Sequence, residues 1–469
     1  MKRYPHIGTV VPLLVLVGAC TTAPQQSTQT AAPTPAALRT TQGPVRITYE
    51  NYKLPNGLNV ILARDTAVPV VAVNLWYHVG SANEAAGRSG FAHLFEHMLF
   101  QGSANVGDDQ HFKMIQEAGG TLNGSTNADR TNYFQAVPAN FLERVLWMEA
   151  DRMGFLLPAM TQAKLDNQRS VVQNERRQNY ENQPYGLAFE TLAAAMYPAG
   201  HPYSWITIGS MKDLNAASME DVQQFFRNYY TPNNASLSIV GDFEPAEARR
   251  MVAKHFGDIP PGPAVQRPQP APFRLTEEKR LVLEDRVQLP RLYVSWHSPS
   301  RFGEGEADMN VLGSVLAGGR NSRLYQRLVY RDQIAQSVFG GQNSRPLGGQ
   351  FALTITAKPG VDLARILRVV DEEVARISNE PPTAREIERA KNNLEVGFIQ
   401  QTESSLGRAD LLNSYYTFTG NPGYIDQDLA RYQAVTPQSV QAAARQYLHK
   451  GRVLLSVVPQ GQTQLQVAL

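Results

Sequence analysis

Residues 91–98 read Phe-Ala-His-Leu-Phe-Glu-His-Met. On an α-helix, residues four apart lie one turn from each other on the same face, so His93 and His97 can reach a single metal ion. Glu96 follows His93 by three positions and projects from the same side, while the apolar neighbours would bury the rest of the helix. A carboxylate beside a metal can act as a general base, so the pattern predicts a hydrolytic half-site. A helix with two ordinary core or surface histidines remains the alternative.

A catalytic zinc site needs a third protein ligand from another part of the chain. Residues 161–182 have helical periodicity, and Glu175 is the only acidic residue on the stripe that also carries Leu165, Gln168 and Val172. Glu175 is therefore the candidate third ligand. Without the histidine motif, a solvated charge in the run 175–177, which reads Glu-Arg-Arg, would be the better interpretation.

The spacing His93-x-x-Glu96-His97, followed by the glutamate of Val171-Val172-Gln173-Asn174-Glu175, resembles the pitrilysin/insulysin family of zinc metallopeptidases, the inverzincins. Mitochondrial processing peptidase belongs to the same family. The resemblance extends from residue 45 to the C-terminus. It implies that His93, His97 and Glu175 bind one Zn²⁺ per chain and that Glu96 is the general base.

Family members often carry a second glutamate two turns before the metal-binding one, where it supports a ligand histidine. In this chain that position is Gln168. An amide can accept a hydrogen bond from a ligand histidine but adds no negative charge to raise its basicity. The resemblance therefore implies altered activity, not its absence.

A second resemblance concerns substrate binding. The run Asn123-Gly124-Ser125-Thr126 precedes the strand predicted at 131–137 and is similar to the family's edge strand, on which a peptide pairs through its backbone. Gly124 stands where alanine is usual in the family. A simple turn between strands is the alternative interpretation of these four residues.

One expected pair of residues is absent. Active single-chain members carry an arginine and a tyrosine seven positions apart in the C-terminal half, and the corresponding positions here are Val329 and Gln336. Neither can donate to a developing oxyanion as the usual pair does. Arg323 and Tyr330 have the spacing but match other family positions. The resemblance thus implies a homologous partner subunit that supplies the missing pair.

The order of predicted elements recurs along the chain and indicates a duplicated domain. The fold class is α+β, with two homologous domains, each a mainly antiparallel sheet packed by helices, as in mitochondrial processing peptidase. The predicted ranges are 46–256 for the zinc-bearing domain, 257–274 for a Pro-rich linker and 275–469 for the domain without a metal. The second copy of the metal helix, predicted at 305–318, contains no histidine.

The N-terminus predicts a secreted lipoprotein. A basic tip and the apolar run 10–17 lead to Val17-Gly18-Ala19-Cys20, which resembles a bacterial lipobox with Cys20 as the acylated residue. Residues 1–20 would be the signal peptide, and 21–45, rich in Thr, Ala, Gln and Pro, a flexible tether. Thr21 after the cysteine favours the outer membrane, facing the periplasm. A plain signal peptide or a short membrane anchor is the alternative.

Composition narrows the function classes further. Lys and Arg number 44 against 42 Asp and Glu, so the chain lacks the large positive field typical of nucleic-acid binders. We therefore expect a zinc endopeptidase that cleaves peptides or unfolded segments, as the catalytic subunit of a two-subunit enzyme. A non-catalytic assembly or processing partner, and a peptide-binding surface lipoprotein that keeps the peptidase fold, are the alternatives.

Overall fold

The computed structural model describes residues 37–43 and 45–468. The predicted signal peptide, Cys20 and most of the predicted tether lie outside the described residues.

The first sheet has seven strands in the order β1-β2-β3-β7-β4-β6-β5. All neighbouring strands are antiparallel except β3 and β7, which run parallel. The strands are β1 (Arg39–Thr40), β2 (Thr48–Lys53), β3 (Asn59–Arg64), β4 (Val70–Tyr77), β5 (Thr121–Thr126), β6 (Thr131–Pro138) and β7 (Ala235–Gly241). The predicted substrate-binding run 123–126 therefore belongs to a strand at the edge of this sheet, not to a turn.

The second sheet repeats this arrangement with five strands in the order β10-β11-β9-β12-β8. Its one parallel pair is β8 and β12, in the place of β3 and β7. The strands are β8 (Lys279–Asp285), β9 (Arg291–Ser298), β10 (Ala335–Asn343), β11 (Gly349–Ala357) and β12 (Arg452–Pro459). The predicted α+β class with two similar, mainly antiparallel sheets is confirmed.

Helices surround both sheets. In the first half they are α1 (Phe91–Met98), α2 (Gln110–Glu117), α3 (Leu142–Phe155), α4 (Gln162–Arg176), α5 (Ala188–Met196), α6 (Met211–Ala216), α7 (Met219–Tyr229) and α8 (Pro245–Phe256). In the second half they are α9 (Glu306–Ala317), α10 (Arg323–Tyr325), α11 (Leu363–Asn379), α12 (Ala384–Gln401), α13 (Ser405–Thr419), α14 (Ile425–Ala434) and α15 (Pro437–Tyr447). A π-helical turn extends α4 over Arg177–Glu181 and α10 over Gln326–Arg331. Short 3-10 turns lie at Ser81–Asn83, Ala139–Phe141, Leu157–Ala159, Pro232–Asn234 and Thr463–Leu465.

Each half contributes one helix to the sheet of the other half. From the second half, α13 packs Ala409 and Leu412 against buried side chains of β3, β4 and β7. From the first half, α5 packs Leu192 and Met196 against Tyr293 and other residues of β9 and β12. This exchange of helices buries apolar surface of both halves and holds the two halves together.

The segment between α8 and β8, residues 257–278, forms neither helix nor strand. It covers the range predicted as the linker. Among the residues that the structure describes, no helix combines the length and apolar character needed to cross a membrane.

Candidate metal centre

The start of α1 is shaped by a glycine. Gly90 adopts a left-handed conformation with φ 93°, and a Cβ atom there would lie 2.8 Å from the carbonyl oxygen of Ile208. Only glycine meets both conditions without strain. The helix that follows buries its apolar residues in the first core and leaves His93, Glu96 and His97 partly exposed on one side.

A buried carboxylate holds the first turn of α1 in place. The two oxygens of Glu84 accept hydrogen bonds from the backbone N–H groups of Gly90 (3.1 Å) and Ala92 (2.8 Å). The indole Nε1 of Trp205 donates to the same side chain at 3.0 Å. Because the first N–H groups of a helix have no partner within the helix, these bonds stabilise α1 at the position that presents the histidines.

Glu175 reaches the histidines from the last part of α4, which packs against α1. Its Oε2 lies 3.6 Å from Nε2 of His93 and 3.4 Å from Nε2 of His97. One ligand atom from each of the three residues can be chosen so that all lie within 4.8 Å of one another. Ligands bound to a tetrahedral zinc at about 2.0–2.1 Å are separated by roughly 3.4 Å, so the three side chains fit a zinc ion.

The protonation states favour metal binding. Burial and, to a smaller extent, the neighbouring His97 together lower the pKa of His93 to about 4, against the opposing effect of Glu175. The contact with His97 lowers the pKa of Glu175 below its ordinary value, with further help from His93 and from the amide of Asn179. A neutral imidazole and an ionised carboxylate are the forms that bind a divalent metal.

Glu96 lies between the histidines and the edge strand. Burial raises the pKa of its carboxyl above the ordinary value, while the Thr126 hydroxyl and the neighbouring His97 and Arg130 side chains act in the opposite direction. A Cβ atom built on Gly124 would lie 3.2 Å from Oε1 of Glu96. A peptide paired with β5 would therefore pass close to this carboxylate.

Gln168 lies on α4 with 6% of its surface exposed. Within the described part of the chain, its side chain makes no hydrogen bond to either histidine, and Nδ1 of His93 is buried without a partner. The role predicted for Gln168 as a support for a ligand histidine stays a prediction. Asn179, which sequence reasoning did not single out, donates to Oε1 of Glu175 at 3.4 Å from the next helical turn.

The positions of the missing arginine and tyrosine have structural roles of other kinds. Val329 packs against the core of the second half, and Gln336 is exposed at an irregularity in the pairing of β10 with β11. The guanidinium of Arg323 is bound by Glu386 at 2.7 and 2.9 Å, and Tyr330 is 74% exposed. The Arg323 side chain is therefore engaged within its own half of the molecule.

Glu84 is the supporting residue that the sequence did not reveal. It precedes the helix by several residues, so it does not match the short spacing of a capping box. The only available signal is an acidic residue placed shortly before a helix that begins with glycine. Asn179 could have been found by its spacing of four from Glu175.

Comparison with known proteins points to one family. The family model described as Insulinase (Peptidase family M16) matches residues 59–204, and the model described as Peptidase M16 inactive domain matches residues 216–394. The first range includes His93, Glu96, His97 and Glu175, and the second includes none of them.

Relatives match along most of the chain. Zinc protease PqqE of Helicobacter pylori is 27% identical over 386 residues, which cover 81% of this chain and 85% of that protein. YmxG of Bacillus subtilis, also named a zinc protease, is 24% identical and covers 88% and 98%. The crystal structure of a protease from Helicobacter pylori matches with a TM-score of 0.82 at 25% identity, covering 88% of this chain and 99% of the other.

Proposed function

We propose that this chain, which belongs to the M16 (insulinase) family of peptidases, is a zinc-dependent endopeptidase that cleaves peptides or unfolded polypeptide segments. The observation that carries the proposal is the convergence of His93, His97 and Glu175, with Glu96 on the same face of α1. These residues come from two helices that are far apart in the sequence, and their donor atoms suit zinc.

In this proposal the three ligands hold one Zn²⁺ per chain. When bound, zinc supplies a Lewis acid that lowers the pKa of a coordinated water towards neutrality. Glu96 accepts the proton of the attacking water as the general base and can later donate it to the leaving amine. The carboxylates of Glu96 and Glu175 thus have different tasks, because one faces the edge strand and the other faces both imidazoles.

Residues of β5 would bind the substrate through the backbone. β5 is an edge strand, since it pairs only with β6 among the described strands. An extended peptide can add to such an edge whatever its side chains are, provided that it is unfolded. Asn123, Gly124, Ser125 and Thr126 would supply the pairing groups beside Glu96.

We further propose that the chain is the catalytic subunit of a two-subunit peptidase. The absence of an arginine at Val329 and of a tyrosine at Gln336 supports this, because a homologous partner that carries both residues would complete the site. From the sequence at Cys20 we propose a lipid anchor in the bacterial envelope, with the enzyme on the periplasmic side of the outer membrane.

The experiment measures metal content and cleavage of a quenched fluorescent, unstructured peptide. The wild type should retain about one zinc per chain, and a chelator should abolish cleavage. Glu96→Gln should retain the metal but lose about 10²- to 10⁴-fold in turnover, because it cannot accept a proton. Glu395→Gln, an exposed position on α12, is the matched control and should behave as the wild type.

Two results would contradict the peptidase assignment: wild-type protein that retains no metal, or cleavage that survives Glu96→Gln unchanged. The non-catalytic alternatives predict peptide binding with no chelator-sensitive cleavage under any condition. The partner is tested separately by adding a homologue that lacks the histidine pair but carries the arginine and tyrosine. A large increase in rate is expected, and a single chain that is already fully active alone would exclude the partner requirement.

A further inference from the structure

A cavity of about 390 Å³ lies where the two halves meet. From the first half it is lined by the turn between β5 and β6, including Asp129, and from the second half by Arg301, Arg345 and Phe418. Arg345 belongs to the turn between β10 and β11, which is the equivalent of the β5–β6 turn in the second sheet. The backbone N–H of Arg301 donates to the carbonyl of Arg345 at 3.1 Å, so both arginines lie side by side.

These two guanidinium groups have few polar partners. In the part of the chain that the structure describes, neither forms an ion pair with a carboxylate, and the same holds for Arg130 beside the cavity. Arg345 donates to the Tyr197 hydroxyl at 3.0 Å and stacks on Tyr203, while its Nε has no partner. Arg301 lies over the Phe418 ring, with only a 3.5 Å contact to the Ser414 hydroxyl.

One acidic side chain faces the cavity, and it is already engaged. Asp129 accepts a hydrogen bond from the Tyr203 hydroxyl at 2.6 Å. Burial raises its pKa, and the positive charges of Arg345, Arg301 and Arg130 act against that rise. Among the described residues that line the cavity, Asp129 is the only carboxylate and faces the two guanidinium groups of Arg301 and Arg345, which leaves capacity for another anionic group. Arginine binds carboxylates well because its N–H groups match both oxygens.

The cavity adjoins the candidate catalytic centre on two sides. Asn127, Ala128 and Asp129 follow β5 directly and line the cavity, while Glu96 is close to Gly124 and Thr126 of the same strand. At about 3.3 Å per residue, the cavity begins one to three residues beyond Glu96 along the strand. Tyr180 and Phe189 separate it from a second cavity of about 400 Å³, which Glu175 lines.

We propose that this cavity is a substrate subsite that receives a carboxylate of the bound peptide, held by the guanidinium groups of Arg301 and Arg345. The inference rests on the proposed function, because it assumes that a peptide lies along β5. The carboxylate can come from an aspartate or glutamate side chain a few residues from the scissile bond, or from the C-terminus of a short peptide. In both cases the group that is recognised is a peptide carboxylate, and only the side-chain source would make acidic peptides the preferred substrates.

The test measures binding to the Glu96→Gln protein, so that it does not depend on turnover. Short unstructured peptides carrying a fluorophore and a single glutamate, moved along the sequence, are compared by anisotropy with the same peptides carrying glutamine. We expect at least one glutamate position to bind about tenfold more tightly than its glutamine counterpart. A second pair, with a free or an amidated C-terminus, distinguishes the terminal carboxylate from a side chain.

Substitutions of the two arginines test whether the preference for the carboxylate peptide comes from the cavity. Arg301→Gln and Arg345→Gln, separately, should each reduce the preference for the acidic peptide, and Arg345→Lys should retain part of it because the charge remains. Arg389→Gln is the control, since this partly exposed arginine of α12 lies outside the cavity and, among the described residues, donates a hydrogen bond to the carbonyl of Asn321 alone. Circular dichroism and zinc content verify that each variant is folded.

Equal binding of glutamate and glutamine peptides at every position, together with equal binding of the free and the amidated C-terminus, would overturn the inference, as would a preference that survives both arginine substitutions. Neither result bears on the peptidase activity, which is judged by zinc-dependent cleavage in the wild type. Conversely, cleavage that is absent both with and without the homologous partner, together with arginine-dependent binding of the carboxylate peptides, would contradict the proposed function and leave the carboxylate subsite intact.

Discussion

Helices α1 and α9 occupy equivalent places in two sheets of the same strand order, yet their side chains differ completely. Each follows a glycine in the left-handed conformation, Gly90 with φ 93° and Gly305 with φ 80°. Counted from these glycines, the positions of His93, Glu96 and His97 hold Asp308, Val311 and Leu312 in the second half. Both halves retain the helix and its initial glycine, but only the first half has the histidines and the glutamate of the candidate metal site.

The surroundings of the two helices explain the difference. Val311 and Leu312 are fully buried in the second core, where α9 is covered by α10, α12 and α15. The polar face of α1 remains partly exposed, and α4 carries Glu175 towards it. A buried face favours apolar residues, whereas a face that remains open can carry ionisable groups without a large desolvation cost.

The largest effect should come from removing the ligand that the second half lacks. Glu175→Ala leaves two imidazoles without the third ligand. We expect zinc affinity to fall by more than about hundredfold, because substitution of residues that only support a ligand already lowers metal affinity by up to about hundredfold. Zinc retained after dialysis is measured by mass spectrometry. Glu388→Ala, an exposed glutamate of α12 in the half without the metal, is the control. Equal zinc content in Glu175→Ala and the wild type would contradict the assignment of Glu175 as a zinc ligand.

A second prediction concerns two buried histidines near the C-terminal ends of β4 and β9, each in contact with the helix that the other half contributes. His78 contacts the hydroxyls of Ser236 and of Thr417 in α13, and His297 donates to the carbonyl of Met196 at the end of α5. Burial lowers the pKa of His78 to about 3 and that of His297 to about 4, from an ordinary value of 6.5. The positive charges of Arg267 near His78 and of Arg274 near His297 contribute to this lowering of the pKa.

Both imidazoles therefore remain neutral in the folded protein while they gain a proton in the unfolded chain. Because these pKa values are depressed on folding, the stability is present above pH 6.5 and is lost as the pH falls from 6.5 towards 4. The expected slope is about 1.4 kcal/mol per pH unit for each histidine. Urea unfolding at several pH values measures it. His78→Gln combined with His297→Gln should flatten the curve, and an unchanged slope would show that other groups are responsible.

A third, smaller effect tests the helix exchange between the halves. Leu412 of α13 is 1% exposed and packs on the first sheet. Leu412→Ala should lower the free energy of unfolding by about 2–5 kcal/mol through lost burial and the remaining cavity. Val396→Ala, at a side chain that is 51% exposed on α12, should change it by less than about 1 kcal/mol. A loss at Leu412 no greater than at Val396 would mean that α13 contributes little to the first half.

The smallest effect is expected from a substitution on the edge strand β5, measured as a change in turnover. In Gly124→Ala the new Cβ atom lies 3.1 Å from Phe100 and 3.2 Å from Glu96, so these side chains must move by a few tenths of an ångström. We expect turnover to fall by less than about tenfold with zinc content unchanged, because displacements near 1 Å cost about hundredfold. Gly341→Ala on β10, where the added atom meets nothing within 4 Å, is the control and should leave turnover unchanged.

Local patterns predicted much of the fold. The strand expected at 131–137 is β6 (Thr131–Pro138), and the helix expected at 305–318 is α9 (Glu306–Ala317), because alternation and helical periodicity reflect which face is buried. His93 and His97 could be paired from spacing alone. Glu175 needed the resemblance to the family, since an acidic residue on a helix has no local mark that it binds a metal.

Contacts between distant segments could not be predicted in this way. The cap of α1 by Glu84 and Trp205, the exchange of α5 and α13, and the meeting of Arg301 and Arg345 with Asp129 join residues far apart in the sequence. Periodicity reports burial but not the partner, because the hydrophobic effect has no direction.

The amino-acid order alone was sufficient to place two imidazoles and a carboxylate on one helical face, because the geometry of a helical turn depends only on spacing. Tertiary structure decided which distant glutamate meets them, which helix covers each sheet and where unpaired arginines collect. Those outcomes depend on how two similar sheets pack against each other, and that packing is a property of the whole chain.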